Sequence, residues 1–231
     1  MFALLLPTLS AAGLAQNSSS SSSSAKPARR PPAPADSEID SGTVNSGLYR
    51  NRSLAFTCRI PEGWVLRTDE MNARHEDDSP TAEKPARPAP TPGSGCPQSC
   101  GKVLLAAFSR PPEARGEDVN ASLVIAAEPV AAYPGLKEAA QYFGPLTEVA
   151  KAQGFAPDED PYELTVGSKV LVRGDFHKNV GSRVMRQSTL AMLARGYAVS
   201  ITVIAGTEDE VDQLIDGLDF EPAKAAKQPR Q

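Results

Sequence analysis

The chain has 231 residues, with 24 Lys and Arg against 28 Asp and Glu, a formal net charge of -4. That balance argues against a nucleic-acid binder, which carries a basic face, and the clusters Lys26/Arg29/Arg30 and Lys224/Lys227/Arg230 fall in tail-like segments. About half of the 21 prolines sit in two stretches, Lys26 to Ala35 and Pro80 to Pro97; such chain buries too little apolar surface to offset its ordering entropy. Setting these segments aside leaves roughly 150 residues, enough for one hydrophobic core.

Residues 1–15 read as a signal peptide. Phe2 to Leu6 is apolar, Leu9, Ala11, Ala12 and Leu14 extend the run, and Gly13 and Ala15 are small residues suited to cleavage after Ala15. No Lys or Arg precedes the run. It is too short for a usual membrane span, so the mature chain is expected outside the cytoplasm, periplasmic or secreted, with no transmembrane span. Residues 16–46 follow as a disordered linker, a Ser tract and then a Pro-rich stretch.

A single domain is expected over 47–221. Leu54, Phe56 and Cys58 share one side of an alternating strand, and a turn around Asn51 joins it to Tyr49. Pro61-Glu62-Gly63-Trp64 ends that strand and sets the chain's single Trp beside it. Residues 71–101 read as a low-complexity surface insertion. Within it Cys96 and Cys100 form a C-x3-C pair between Gly95 and Gly101. A disulfide is favoured over a metal site there, because His75 is the one nearby additional ligand. Cys58 reads as a small buried hydrophobe.

Val103 to Phe108 and Ser122 to Ala127 are continuous apolar runs, as in strands buried on both faces. Leu136, Ala139, Ala140 and Phe143, then Leu146, Val149 and Ala150, keep helical spacing around Gly144-Pro145, which predicts two short helices or one kinked helix. Four strands come next: Tyr162–Val166, Val170–His177, Arg183–Leu193 and Tyr197–Ala205. The last two are joined across Arg195-Gly196. Thr207 to Glu210 is a capping box opening a helix with the apolar stripe Val211, Leu214, Ile215 and Leu218. Residues 222–231 read as a disordered tail.

Hairpins without regular βαβ alternation, and central strands apolar on both faces, predict an α+β fold: an antiparallel sheet covered by helices on both faces, an αβα sandwich. The order resembles the PsbP-like superfold, which includes the DcrB-like bacterial proteins. The residues that carry this likeness are Tyr49-Arg50-Asn51, Leu54-Ala55-Phe56, Ile60 to Trp64, Gly196 to Thr202, the acidic-capped helix and Leu218-Asp219-Phe220. The resemblance implies a non-enzymatic binding or assembly factor whose partner is another protein, and it brings no family active site.

Candidate binding residues are Tyr49 and Trp64, aromatics beside a turn, and Arg173, Asp175 and His177, which alternate onto one strand face. The sharper alternative is a small extracytoplasmic hydrolase in which His177 and a serine such as Ser188 work with Asp175; the blander one is a solvated face with an ordinary charge pair. A purely structural envelope component is the third reading. No cofactor or metal is expected: phosphate-cradling glycine motifs are absent. Glu208, Asp209, Glu210 and Asp212 lack the spacing of a calcium loop, and Asp158-Glu159-Asp160 reads as a solvated acidic loop.

Overall fold

The computed structural model describes residues 38–77, 101–114, 116 and 118–221. The signal segment, most of the linker, Cys96 and Cys100 with most of the insertion, and the 222–231 tail lie outside the described residues.

Two antiparallel sheets make up most of this structure. The smaller joins β1 (Thr43–Asn45), β2 (Leu48–Asn51), β3 (Phe56–Arg59) and β12 (Leu218–Phe220) in the order β1-β2-β3-β12. The larger has eight strands. Its main path is β4 (Val65–Leu66), β5 (Lys102–Phe108), β6 (Ser122–Pro129), β11 (Tyr197–Ala205), β10 (Arg183–Ala194), β9 (Lys169–Val180) and β7 (Ala156–Pro157), while β8 (Tyr162–Val166) also pairs with β9. Helices α1 (Thr68–Asp77), α2 (Ala139–Ala152) and α3 (Glu208–Asp216) are short.

Local chemistry accounts for the joints. Arg195 and Gly196 have φ of 53° and 81°, the positive values that a two-residue hairpin matched to strand twist requires. Thr207 caps α3: its hydroxyl accepts from the Glu210 amide at 3.2 Å, and the Glu210 carboxylate accepts from the Thr207 amide at 3.1 Å. At the start of the domain, Asp40 accepts from the Gly42 amide at 2.8 Å and the Ser53 amide at 2.7 Å. The Asn51 side-chain amide donates to the Asp40 carbonyl at 2.7 Å.

Pairing Leu190 with Ile201, and Ile201 with Ile125, puts these residues on one face of the larger sheet. With Leu123, Val199 and Val203 they join a single core with Tyr49, Phe56 and Phe220 from the smaller sheet and Val211, Leu214 and Ile215 from α3. The Phe56 and Phe220 rings lie 4.7 Å apart between centroids. On the opposite face α2 sets Tyr142 and Phe143 against Ala191 and Ala198. A Cβ at Gly174 would overlap the Phe143 ring, so glycine is what lets the helix approach there.

The helix-covered αβα sandwich is therefore corrected to a mostly antiparallel β structure of two sheets and twelve strands with three short helices among the described residues. The nine-residue α3 is too short to cover the apolar face alone, and the smaller sheet covers the rest. Leu218, read above as the last residue of a helical stripe, lies beyond Gly217 and opens β12 opposite Cys58. Ile39, placed in the linker by sequence, is 1% exposed, and β1 also precedes the expected domain start. α1 takes up the first seven residues of the expected insertion. α2 is one helix with Pro145 inside it. Cys58 is fully buried and free, and burial pushes its thiol up to about 12.

Truncating Phe220 to Ala should cost about 3–5 kcal/mol, the range for a large buried aromatic. Thr207→Ala, which removes one cap, should cost about 1 kcal/mol. Urea unfolding of both variants measures the contrast; equal, small losses would mean that the smaller sheet does not share the core.

Candidate functional site

Strand β9 brings Arg173, Asp175 and His177 onto one face, as the alternation predicts: they pair across to Leu190, Ser188 and Arg186, all on the core side of β10. Here the core gives way to charge. The Arg173 Nε donates to Asp175 Oδ1 at 2.9 Å, and its Nη2 reaches Asp212 Oδ1 of α3 at 2.9 Å. Asp175 also accepts from the Tyr162 hydroxyl at 2.9 Å and from the Ser188 hydroxyl. Arg186 bridges Asp158 at 3.5 Å and Glu208 at 3.2 Å, and His177 Nδ1 pairs with Asp158. All of these groups except Ser188 and His177 border a cavity of about 280 Å³.

The electrostatics follow from that pairing. Burial opposes the Arg173 charge, but the hydrogen bond and charge of Asp175, with the hydrogen bond to Asp212, outweigh it and hold the guanidinium above its usual value. Burial, then the hydrogen bond to Asp175 and its charge, pushes the Tyr162 phenol up to about 12. Ser188 is fully buried and bonded to Asp175, while His177 is bonded to Asp158. The serine and the histidine thus have separate carboxylate partners instead of the serine–histidine–carboxylate chain that acyl transfer uses.

A second concavity, about 900 Å³, opens where the outer face of the smaller sheet meets α3 and the β5–β6 loop. Trp64 lies on it, half-buried and packed against the main core. The turn Pro61–Gly63 places it, with Gly63 at a φ of 82°. Leu214, Leu218 and Ala121 continue the apolar lining, and Arg59, Glu210 and Asp219 add charge. Tyr49 is elsewhere: it is 1% exposed, its hydroxyl donates to the Ser41 carbonyl at 3.1 Å, and burial pushes it up to about 12. Its place is the core and not a binding surface.

No family model matches the sequence, and no curated protein does. Solved structures that align with the chain include a protein of unknown function from Pseudomonas aeruginosa, at 16% identity and a TM-score of 0.36, covering 55% of this chain and 88% of that one. LpqN, involved in cell envelope biogenesis of Mycobacterium tuberculosis, aligns at 12% identity and a TM-score of 0.33, covering 72% of this chain and 83% of that one. A protein from Bacteroides thetaiotaomicron gives 9% and 0.34, with 74% and 46% covered. All three scores are low, and the likeness assigns neither family nor function.

Among the described residues no cluster of His, Cys, Asp and Glu is arranged to hold a metal, and no helix is long and apolar enough to cross a membrane. The sequence singled out Trp64 but missed the rest of its groove. Arg59, Ala121, Leu214 and Asp219 come from four separate segments and form no local motif. Likewise Asp158, Arg186 and Asp212 join the charged cluster only through strand register and the docking of α3.

Replacing Asp175 with Ala leaves Arg173 and the buried Ser188 hydroxyl short of a partner, and should cost about 3 kcal/mol. His177→Ala removes a partly exposed pair and should cost under about 1 kcal/mol. Denaturant midpoints compare the two; a larger loss for His177 would contradict the pairing described.

Proposed function

We propose that the chain is an exported, non-enzymatic binding or assembly module that receives an extended segment of another protein in the groove beside Trp64. The observation that carries this reading is the groove itself: about 900 Å³, with a half-buried Trp, three leucines and charged side chains of both signs. Clefts that hold ligands have this size and this mixture of apolar lining and few charges, and Trp and Arg dominate binding energy where partners meet. Arg59 forms no ion pair among the described residues and lines the same groove as Trp64. The charged cluster of β9, by contrast, spends its hydrogen bonds internally and holds α3 in place. The PsbP-like resemblance supports the same class of role, and the apolar N-terminal run ending at Ala15 supports delivery outside the cytoplasm.

A photo-crosslinking residue tests this in the full-length chain expressed in its native cell, placed either at Gln213 in the groove or at the exposed Val149 on α2. The Gln213 position should give a discrete protein adduct and Val149 none. Trp64→Ala in the Gln213 chain should reduce that adduct by about tenfold or more, with circular dichroism unchanged. Equal adducts at both positions, or an adduct indifferent to Trp64 in a folded variant, would contradict the proposal.

A further inference from the structure

One edge of the eight-stranded sheet is closed by an unusual device. β4 pairs with β5 only at Val65–Phe108 and Leu66–Ala107. Beyond it the chain keeps running antiparallel to β5, first as backbone and then as helix α1. The Arg67 amide donates to the Ala106 carbonyl at 2.9 Å. The Ala106 amide donates to the Thr68 hydroxyl at 3.0 Å. Asn72 then acts as a strand residue would: its side-chain oxygen accepts from the Val103 amide and its side-chain nitrogen donates to the Val103 carbonyl, both at 2.9 Å. Thr68 and Asn72 are four residues apart, on one helix face and about 6 Å along its axis. The irregular pairing between Val103 and Leu105 brings two edge positions within reach of that spacing.

Among the described side chains of the helix the further hold is slight: Glu70 pairs with Arg67 at the surface. None of Thr68 to Ala73 is buried, and Met71 is the single large apolar residue among them. β5 is the opposite: Lys-Val-Leu-Leu-Ala-Ala-Phe, apolar on both faces, with its one charge at the end and neither Gly nor Pro. An apolar strand with a free edge and a charge only at its end pairs readily with another copy of itself. We propose that α1 is a detachable guard on this edge, and that its release lets β5 pair with β5 of a second copy of this chain. Few hydrogen bonds and no buried side chain from Thr68 to Ala73 hold the guard, so α1 opens well before the domain unfolds.

The test is amide hydrogen exchange and light scattering on the full-length chain and on Asn72→Ala. In dilute solution the variant should exchange Val103 and Ala106 about tenfold faster or more, with Ile201 and Val203 unchanged. As concentration rises it should form a dimer, and Val103 and Ala106 should regain protection in it. Asn72→Gln, which keeps the amide, should restore part of the wild-type protection, and Thr68→Val should release Ala106 in the same way. A variant that exchanges like wild type, one that stays monomeric at every concentration, or a dimer without renewed protection at β5 would each overturn the proposal. So would loss of Ile201 and Val203 protection in both Asn72→Ala and Thr68→Val, since α1 would then be integral to the fold.

Discussion

Leu123, Ile125, Leu190, Val199, Ile201 and Val203 lie on one face of three adjacent strands, and each is at most 1% exposed. Large aliphatic side chains gain about 1.5–3 kcal/mol apiece from full burial, so this face must be covered for the domain to exist. The cover comes from both ends of the described chain. β2 and β3 bring Tyr49, Phe56 and Cys58; β12 brings Leu218 and Phe220 and pairs with β3, which ties the end of the domain to its beginning. α3 fills the remaining space with Val211, Leu214 and Ile215. The hydrogen bonds of Asn51 and Ser53 to Asp40 then fix the segment that precedes β1 to the same small sheet.

Both sites follow from this cover. Where the smaller sheet and α3 meet at their outer sides, a groove remains with Trp64 on it. Where the cover stops, the same face of β9 changes from Leu171 to Arg173, Asp175 and His177, and α3 meets it with Asp212 and Glu208 in place of leucines. Such a network suits the boundary between core and solvent: each carboxylate has a donor, and Arg173 ties helix to strand. The groove leaves Trp64 half-exposed, whereas the cluster secures the element that forms one wall of the groove.

Long elements were legible in the sequence. The alternation of β9, the Arg195-Gly196 turn and the Thr207 capping box each rest on neighbours in sequence, and local physics decides them. The buried runs of β5 and β6 were legible for the same reason, and they required a covered sheet. What covers it was not legible. A helix and a short sheet satisfy an apolar face equally well; the alternation of Phe56 and Cys58 marked β3, but β1 and β12 span only three residues each, too few for a period to stand out. Leu218 fell in phase with the helix before it, although Gly217 ends that helix. Trp64 could be singled out by its turn, but its groove gathers residues from distant segments. Asn72 sits in a polar stretch and gains its role only from lying against β5.

The central claim is that the two sheets share one core and stand or fall together. Native-state hydrogen exchange at Cys58 and Leu218 of the smaller sheet, compared with Ile201 of the larger, measures this directly. Equal opening free energies at the three amides, each matching global unfolding, are predicted. Exchange at Cys58 and Leu218 through a separate, lower-energy opening, with Ile201 still protected, would contradict the account.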